Sequence, residues 1–226
     1  MLGWSTGLNA TSTPTDLVNY WIDQLATVAS DGNPVIINVE GATTATINEV
    51  YITEDATDLR QLLQKFLSMA VSFSQGTADY FQTDFSNPEL LDPAEGEVYS
   101  DSEHDWDEAF GYFGAARNYN EMTDESIASP GYDDFNGDNL IDIRSELNLG
   151  HSVNCAKRDL GATNPATDLT KEAFDPFLAG RILLRAASAS GSMTDQEKAE
   201  LEGYITDASV AWEKCVAATV LSLIHI

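Results

Sequence analysis

Apolar residues recur at three- and four-residue steps through most of this chain, a period that predicts helices. Leu17, Trp21, Leu25 and Val28 form the first stripe, with Val18, Ile22 and Ala29 beside it. Its start is marked by Thr13 as N-cap, Pro14 at the first helical position and Asp16 at the third. Those residues serve the first-turn amides that no helical carbonyl can reach. The stretch "SDGNP" closes this helix. A second stripe, Leu59, Leu62, Leu63, Phe66, Ala70 and Phe73, follows a candidate cap at Asp58 and ends near Tyr80. Further helices are expected from Ser100–Ser102 to about Gly114 or Arg117, from Ile143 to Leu160, from about Thr170 to Ala187, and from Thr194 to about Val220. The last opens on the capping box Thr194-Asp195-Gln196-Glu197. Pro176 has no N–H to give, so it should kink its helix or mark a late start.

Residues 35–53 are rich in β-branched side chains and broken by Gly41, which predicts an extended excursion or short hairpin. Residues 84–100 and 119–140 hold prolines, glycines and acids and read as loops. No solenoid-type repeat is evident. The pattern therefore predicts an all-α fold: a helical bundle with long acidic loops and a short extended or hairpin excursion near residues 35–53.

Composition narrows the partners. The 226 residues carry 37 acids against 11 bases, a formal charge of −26. Such a surface repels phosphate backbones and anionic lipid, so nucleic acid and membrane-surface binding are disfavoured. It suits either a simply solvated surface or cation binding. No apolar run is long enough to span a bilayer, and the N-terminus shows no export signal. The final "LSLIHI" loses the helical pattern abruptly and reads as translated sequencing-adapter sequence. Residues 221–226, with His225, are therefore set aside, leaving a single helical domain over residues 1–220, expected to be a fragment truncated at both ends. Cys155 and Cys215 both fall on predicted helices. They are either two small buried side chains or one disulfide tying two helices.

Three stretches carry candidate chemistry. In "EHDWDEAFGYFGAARNY", helical spacing places His104 beside Asp107 and Glu108, with Glu103 at the start. Imidazole and carboxylate so placed can share a metal, or one can orient the other. Alternatively the acids complement the helix dipole in front of an aromatic core. Gly111 and Gly114 are costly inside a helix and suggest a close helix crossing.

The second stretch, "DDFNGDNLIDIRSE", resembles a calcium loop. Asp134, Asn136 and Asp138 alternate, Leu140 offers a carbonyl, and Asp142 stands at the ninth position. Asn139 replaces the usual sixth-position Gly, and Glu146 lies one place beyond the usual Glu. The alternative is an Asx-rich turn leading into the next helix. In that helix Asn148, His151, Asn154 and Arg158 form a polar line, expected to join an internal network facing His104 and Glu108. Arg181 sits in an apolar helix. If buried, it needs Glu103, Asp107 or Glu108 as partner; otherwise it snorkels to water.

Taken in order, "DLRQLLQKFLSMAVSF", "EHDWDEAFGYFGAARNY", "DFNGDNLIDIRSELNLGHSVNCAKRDLG", "TKEAFDPFLAGR" and "WEKCVAATV" resemble a bacterial domain-of-unknown-function family, number four-eight-five-six, over roughly residues 50–220. Its members look like secreted or lipid-anchored envelope proteins, mainly of Bacteroidetes and marine bacteria. They are loosely similar to the imelysins, helical periplasmic proteins linked to iron uptake and once classed as peptidases. The imelysin signature is Gly-x-His-x-x-Glu; here Ser102 stands for the Gly and Asp107 for the Glu. The family has Gly where Asn139 stands and small residues where the two cysteines stand. The resemblance thus weakens the calcium loop and favours the disulfide. It also implies a periplasmic or outer-membrane-anchored location and an export or lipoprotein signal on full-length members.

Three functions are compatible with these residues. The first is an extracytoplasmic, non-enzymatic binding protein for a small ligand or metal ion, with a calcium-stiffened loop and a tie to metal (iron) acquisition. The lack of a Gly-x-Ser-x-Gly elbow, a His-Glu-x-x-His helix or a phosphate loop favours it. The second is a metal-dependent hydrolase, with His104 and His151 holding a transition metal and Glu108 as base. The third is a structural envelope scaffold whose polar contacts only fix helix register.

Overall fold

The computed structural model describes residues 11–32, 35–37, 44–129, 134–159 and 167–224. The break at Gly41, Pro130 and Gly131, and His225 lie outside them. The single domain expected over residues 1–220 is resolved into two compact units, Met1–Ala70 and Val71–Ile226.

The first unit holds α1 (Pro14–Asp31), the antiparallel hairpin β1 (Val35–Ile37) and β2 (Ala45–Ile47), and α2 (Leu59–Lys65). Both helix starts obey their cap chemistry. Thr13 Oγ1 accepts from the Asp16 amide at 3.2 Å while Asp16 accepts from the Thr13 amide at 2.7 Å. Asp58 accepts from the Gln61 amide at 2.9 Å. Leu17, Trp21, Leu59 and Leu63 pack together, with Phe66 edge-on to Trp21. The straight helix expected from Leu59 to Tyr80 is interrupted by a π-helical turn, Phe66–Ala70. Leu67, within that turn, stands exposed.

The second unit contains α3 (Val71–Ala78), α4 (Pro88–Leu91), α5 (Asp101–Phe113), α6 (Asp124–Ala128), α7 (His151–Asp159), α8 (Leu169–Ser190) and α9 (Asp195–Ile224). Only a short turn after Gly191 separates α8 from α9, so they run antiparallel as the unit's longest pair. Trp106, Phe113, Tyr119, Leu184 and Trp212 are fully buried at the centre. No described helix is long and apolar enough to cross a membrane.

Two glycines make room for the two tryptophans. A Cβ on Gly180 of α8 would lie 2.1 Å from the Trp106 ring, and one on Gly76 of α3 would lie 2.6 Å from Trp212. The crossing expected at Gly111 is not there: Gly111 is exposed with open space around it. Gly114 is instead the left-handed C-cap of α5 (φ 86°), lying against the Leu149 backbone. Gly180→Ala is expected to destabilise the protein by about 1–3 kcal/mol through overpacking, even though alanine favours a helix by about 1 kcal/mol. An unchanged urea midpoint would mean that Trp106 can move aside.

α8 continues through Pro176, which is buried and lies seven residues inside the helix rather than at a late start. The helix expected over Ile143 to Leu160 is shorter, beginning only at His151. Its upstream backbone is engaged elsewhere. The Arg144 carbonyl accepts from the Arg117 amide at 2.8 Å, and the Leu149 amide donates to the Gly114 carbonyl at 2.8 Å. Pairing across to residues 114–117 replaces i→i−4 bonds along 143–150.

Candidate functional site

Residues 100–108 form the start of α5. Ser100 Oγ accepts from the Glu103 amide at 3.3 Å, and Glu103 Oε2 accepts from the Ser100 amide at 2.9 Å. The other Glu103 oxygen accepts from Arg181 Nη1 at 2.5 Å and from Arg185 Nη1 at 3.3 Å. Arg181 Nε donates to Asp107 Oδ1 at 2.7 Å, and Arg185 Nη1 also reaches the Val98 carbonyl at 2.6 Å. Glu103 is completely buried. Burial pushes its carboxyl up, but the Ser100 amide and the Arg181 and Arg185 guanidiniums outweigh this and hold it below the usual range. Burial likewise opposes the Arg181 charge, which Asp107 and Glu103 more than restore. Half-buried Arg181 therefore meets two acids, Glu103 and Asp107.

His104 and Glu108 belong to the outer face of the same helix. Their side chains lie 3.6 Å apart and are 52% and 40% exposed, and the imidazole stacks on Tyr99. His151 is 1% exposed and lies edge-on to Trp212 with ring centroids 5.1 Å apart. The two imidazoles therefore stand in different surroundings, one at the surface and one in the core.

The rest of the expected polar line, of which Asn148 precedes α7, is divided among local tasks. Asn148 Oδ1 accepts from the Ala116 amide at 2.8 Å, and its Nδ2 lies 3.2 Å from Met122 Sδ. Asn154 donates to the Gly150 carbonyl at 2.8 Å. Arg158 occupies the last turn of α7, partly buried, where a cation suits the helix dipole. One turn beyond His151, Cys155 forms a disulfide with Cys215 of α9, and both are fully buried. Residue spacing along each helix leaves this pairing open; only the tertiary fold brings the two cysteines together.

Loop 134–146 folds around its own acids. Asp134 accepts from the Asp138 and Asn139 amides at 3.1 and 2.9 Å. Asn136 Oδ1 accepts from the Asp138 amide at 2.9 Å, and Asp138 from the Leu140 amide at 2.7 Å. Gly137 (φ 72°) and Asn139 (φ 62°), the fourth and sixth positions, take the left-handed conformation that lets the chain wind tightly. The Arg144 amide and the Ser145 hydroxyl hold the Asp142 carboxyl below its ordinary value. Glu146 is only 1% exposed, and its two oxygens accept from the Asn136 amide at 3.4 Å and the Asp142 amide at 2.8 Å.

A groove of about 430 Å³ between α8 and α9 is not foreshadowed by the residue pattern. It is lined by Asp175, Asp207 and two lysines, each of which pairs with an acid: Lys171 with Asp175 at 2.8 Å and Lys214 with Glu172 at 2.7 Å. Among the described residues, no group of three or more His, Cys, Asp or Glu side chains is assembled to hold a metal ion. Compared with known proteins, the chain matches no family model, no curated protein and no solved structure.

Proposed function

We propose that this chain is an extracytoplasmic helical binding protein whose loop 134–146 takes calcium as a stiffening ion. Glu146 carries the reading. Its carboxylate is buried inside an acidic loop, where the hydrogen bonds it receives come from neutral backbone amides. A buried charge is costly unless paired or bound to a metal. A hard cation supplies that countercharge, and six oxygen-bearing residues stand within thirteen positions to hold it: Asp134, Asn136, Asp138, Leu140 through its carbonyl, Asp142 and Glu146. The carboxylates that now accept from loop amides would turn toward the ion on binding. The extracytoplasmic assignment rests on the Cys155–Cys215 disulfide, since such bonds persist in oxidising compartments. The resemblance to envelope proteins and imelysins points the same way, toward metal acquisition as the wider process. A structural envelope role is the second reading, favoured by the Glu103–Arg181–Asp107 network tying α5 to α8.

Calorimetric titration of calcium into chelator-treated protein tests the proposal. Extracellular calcium modules bind with Kd of about 10⁻⁴–10⁻³ M, and that range is expected here. Calcium at about 100 times Kd should stabilise the protein by about 2.7 kcal/mol. Asp134→Ala and Glu146→Gln should abolish both the heat and the stabilisation. Absence of heat and of any Tm change at millimolar calcium would sink the calcium reading and leave the scaffold reading in place.

A further inference from the structure

Asn136 is the one asparagine of the chain that is followed by glycine. Gly137 has no Cβ to shield its amide nitrogen from the side chain before it. The space around it is open as well: a Cβ built on Gly137 would meet nothing within 4 Å. Its N–H makes a long bond, 3.3 Å, to the Asp134 carbonyl.

The Asn136 side chain is folded back over that amide. Its Oδ1 accepts from the Asp138 amide at 2.9 Å, and its Nδ2 donates to Asp138 Oδ2 at 3.2 Å. The first bond closes an Asx turn, which spans the Gly137 peptide unit and holds the side-chain carbonyl against it. The same Asp138 amide draws electrons from Cγ and is placed to hold negative charge on Oδ1, as the donors of an oxyanion hole do. Asn136 is exposed, so water reaches the group.

We propose that Asn136 and Gly137 form a self-modifying site, in which the native loop converts Asn136 to aspartate or isoaspartate.

The Gly137 nitrogen gives its proton to solvent and attacks Cγ of Asn136. A Cγ–N bond forms, and the charge developing on Oδ1 is held by the Asp138 amide. Collapse breaks the Cγ–Nδ2 bond, and Nδ2 leaves as ammonia with a proton from water. Water then opens the cyclic imide. Opening at Cγ gives aspartate, and opening at the main-chain carbonyl gives isoaspartate. The sum is amide plus water to acid plus ammonia, with nothing oxidised or reduced. Other asparagines lack this arrangement. Asn154 lies inside α7, where helical bonding holds the next amide, and Asn148 is buried. Asn33, Asn87 and Asn164 precede prolines, which have no N–H to lose. Either product adds a negative charge at the third position of the loop, where carboxylate count sets calcium affinity. That consequence rests on the calcium reading; the modification itself does not.

The test holds the folded protein in heavy-oxygen water at neutral pH and maps its peptides by mass. Asn136 should take up heavy oxygen and become acid at least about tenfold faster than any other asparagine, because the residue after it has no Cβ. Asn136→Gln should leave that peptide unchanged. Asn136 intact in the native protein while the urea-unfolded chain converts would overturn the proposal, since the fold would then shield the pair. Conversion no faster than at other asparagines would overturn it too. Calcium titration of Asn136→Asp separates the two readings. Binding tighter than wild type supports tuning of the loop, and equal binding refutes it. Conversion by mass with no calcium heat in either protein upholds the modification and ends the calcium reading alone.

Discussion

Replacing Cys155 and Cys215 together by alanine is expected to destabilise the Val71–Ile226 unit by about 2–5 kcal/mol. The bond closes a loop between residues 60 apart. Loop-closure entropy alone puts the loss of such a cross-link at about 4 kcal/mol, between the values for 15- and 100-residue loops. Lost packing works in the same direction, because both cysteines are fully buried against neighbours of α7 and α9. The His151–Trp212 contact lies one helical turn away and keeps α7 against α9 in part, so a weakened native state is expected rather than an unfolded chain. For the same reason a reductant should act slowly on the native protein, whose sulfurs are out of its reach, and quickly in partial denaturant. Urea unfolding of the double variant beside the wild type measures the effect. Coincident midpoints would show that the bridge is energetically idle, and the argument for an oxidising compartment would weaken with it.

Glu103→Ala carries the second large effect, about 3 kcal/mol of lost stability. Breaking a buried ion pair by removing one partner typically costs about 3–5 kcal/mol. The lower end applies because Arg181 is 28% exposed and keeps Asp107. Part of the loss belongs to the helix cap, which is worth about 0.5–2 kcal/mol. Glu103→Gln separates the two: its amide oxygen can still receive the Ser100 amide but brings no charge to Arg181 and Arg185. Glutamine should therefore recover the cap portion and no more. Stability equal to wild type in both variants would show that Asp107 alone suffices for Arg181. The lowered Glu103 carboxyl also fixes a pH direction. Its contribution is complete above the unfolded value, near 4.3, and is lost as pH falls through the folded one. Acid thus weakens the contact of α5 with α8 through Glu103.

The candidate site shows how far residue spacing reaches. Arg181 lies in an apolar helix, where it either reaches water or, if buried, needs an acid from Glu103, Asp107 or Glu108; it is 28% exposed and meets the first two. The third instead pairs with His104 on the solvent side, because helical spacing groups residues by face without saying which face is inside. The polar line Asn148, His151, Asn154 and Arg158 presumes a helix from Ile143 onward. Its first member lies outside α7, in a segment paired with residues 114–117, where its side chain serves the Ala116 amide.

Sequence alone determined the helical class, the short hairpin, and the starts of α1, α2, α5 and α9. These depend on interactions within three or four residues: a cap oxygen and its amide, or an apolar stripe along one face. Both partners of such a contact stand in the same short stretch. Tertiary structure decided the disulfide, the glycines under Trp106 and Trp212, and the placing of His104 at the surface and His151 in the core. Each of those depends on which helices cross and at which turn. Crossing geometry is set by the fit of whole side-chain surfaces, and no local periodicity encodes it.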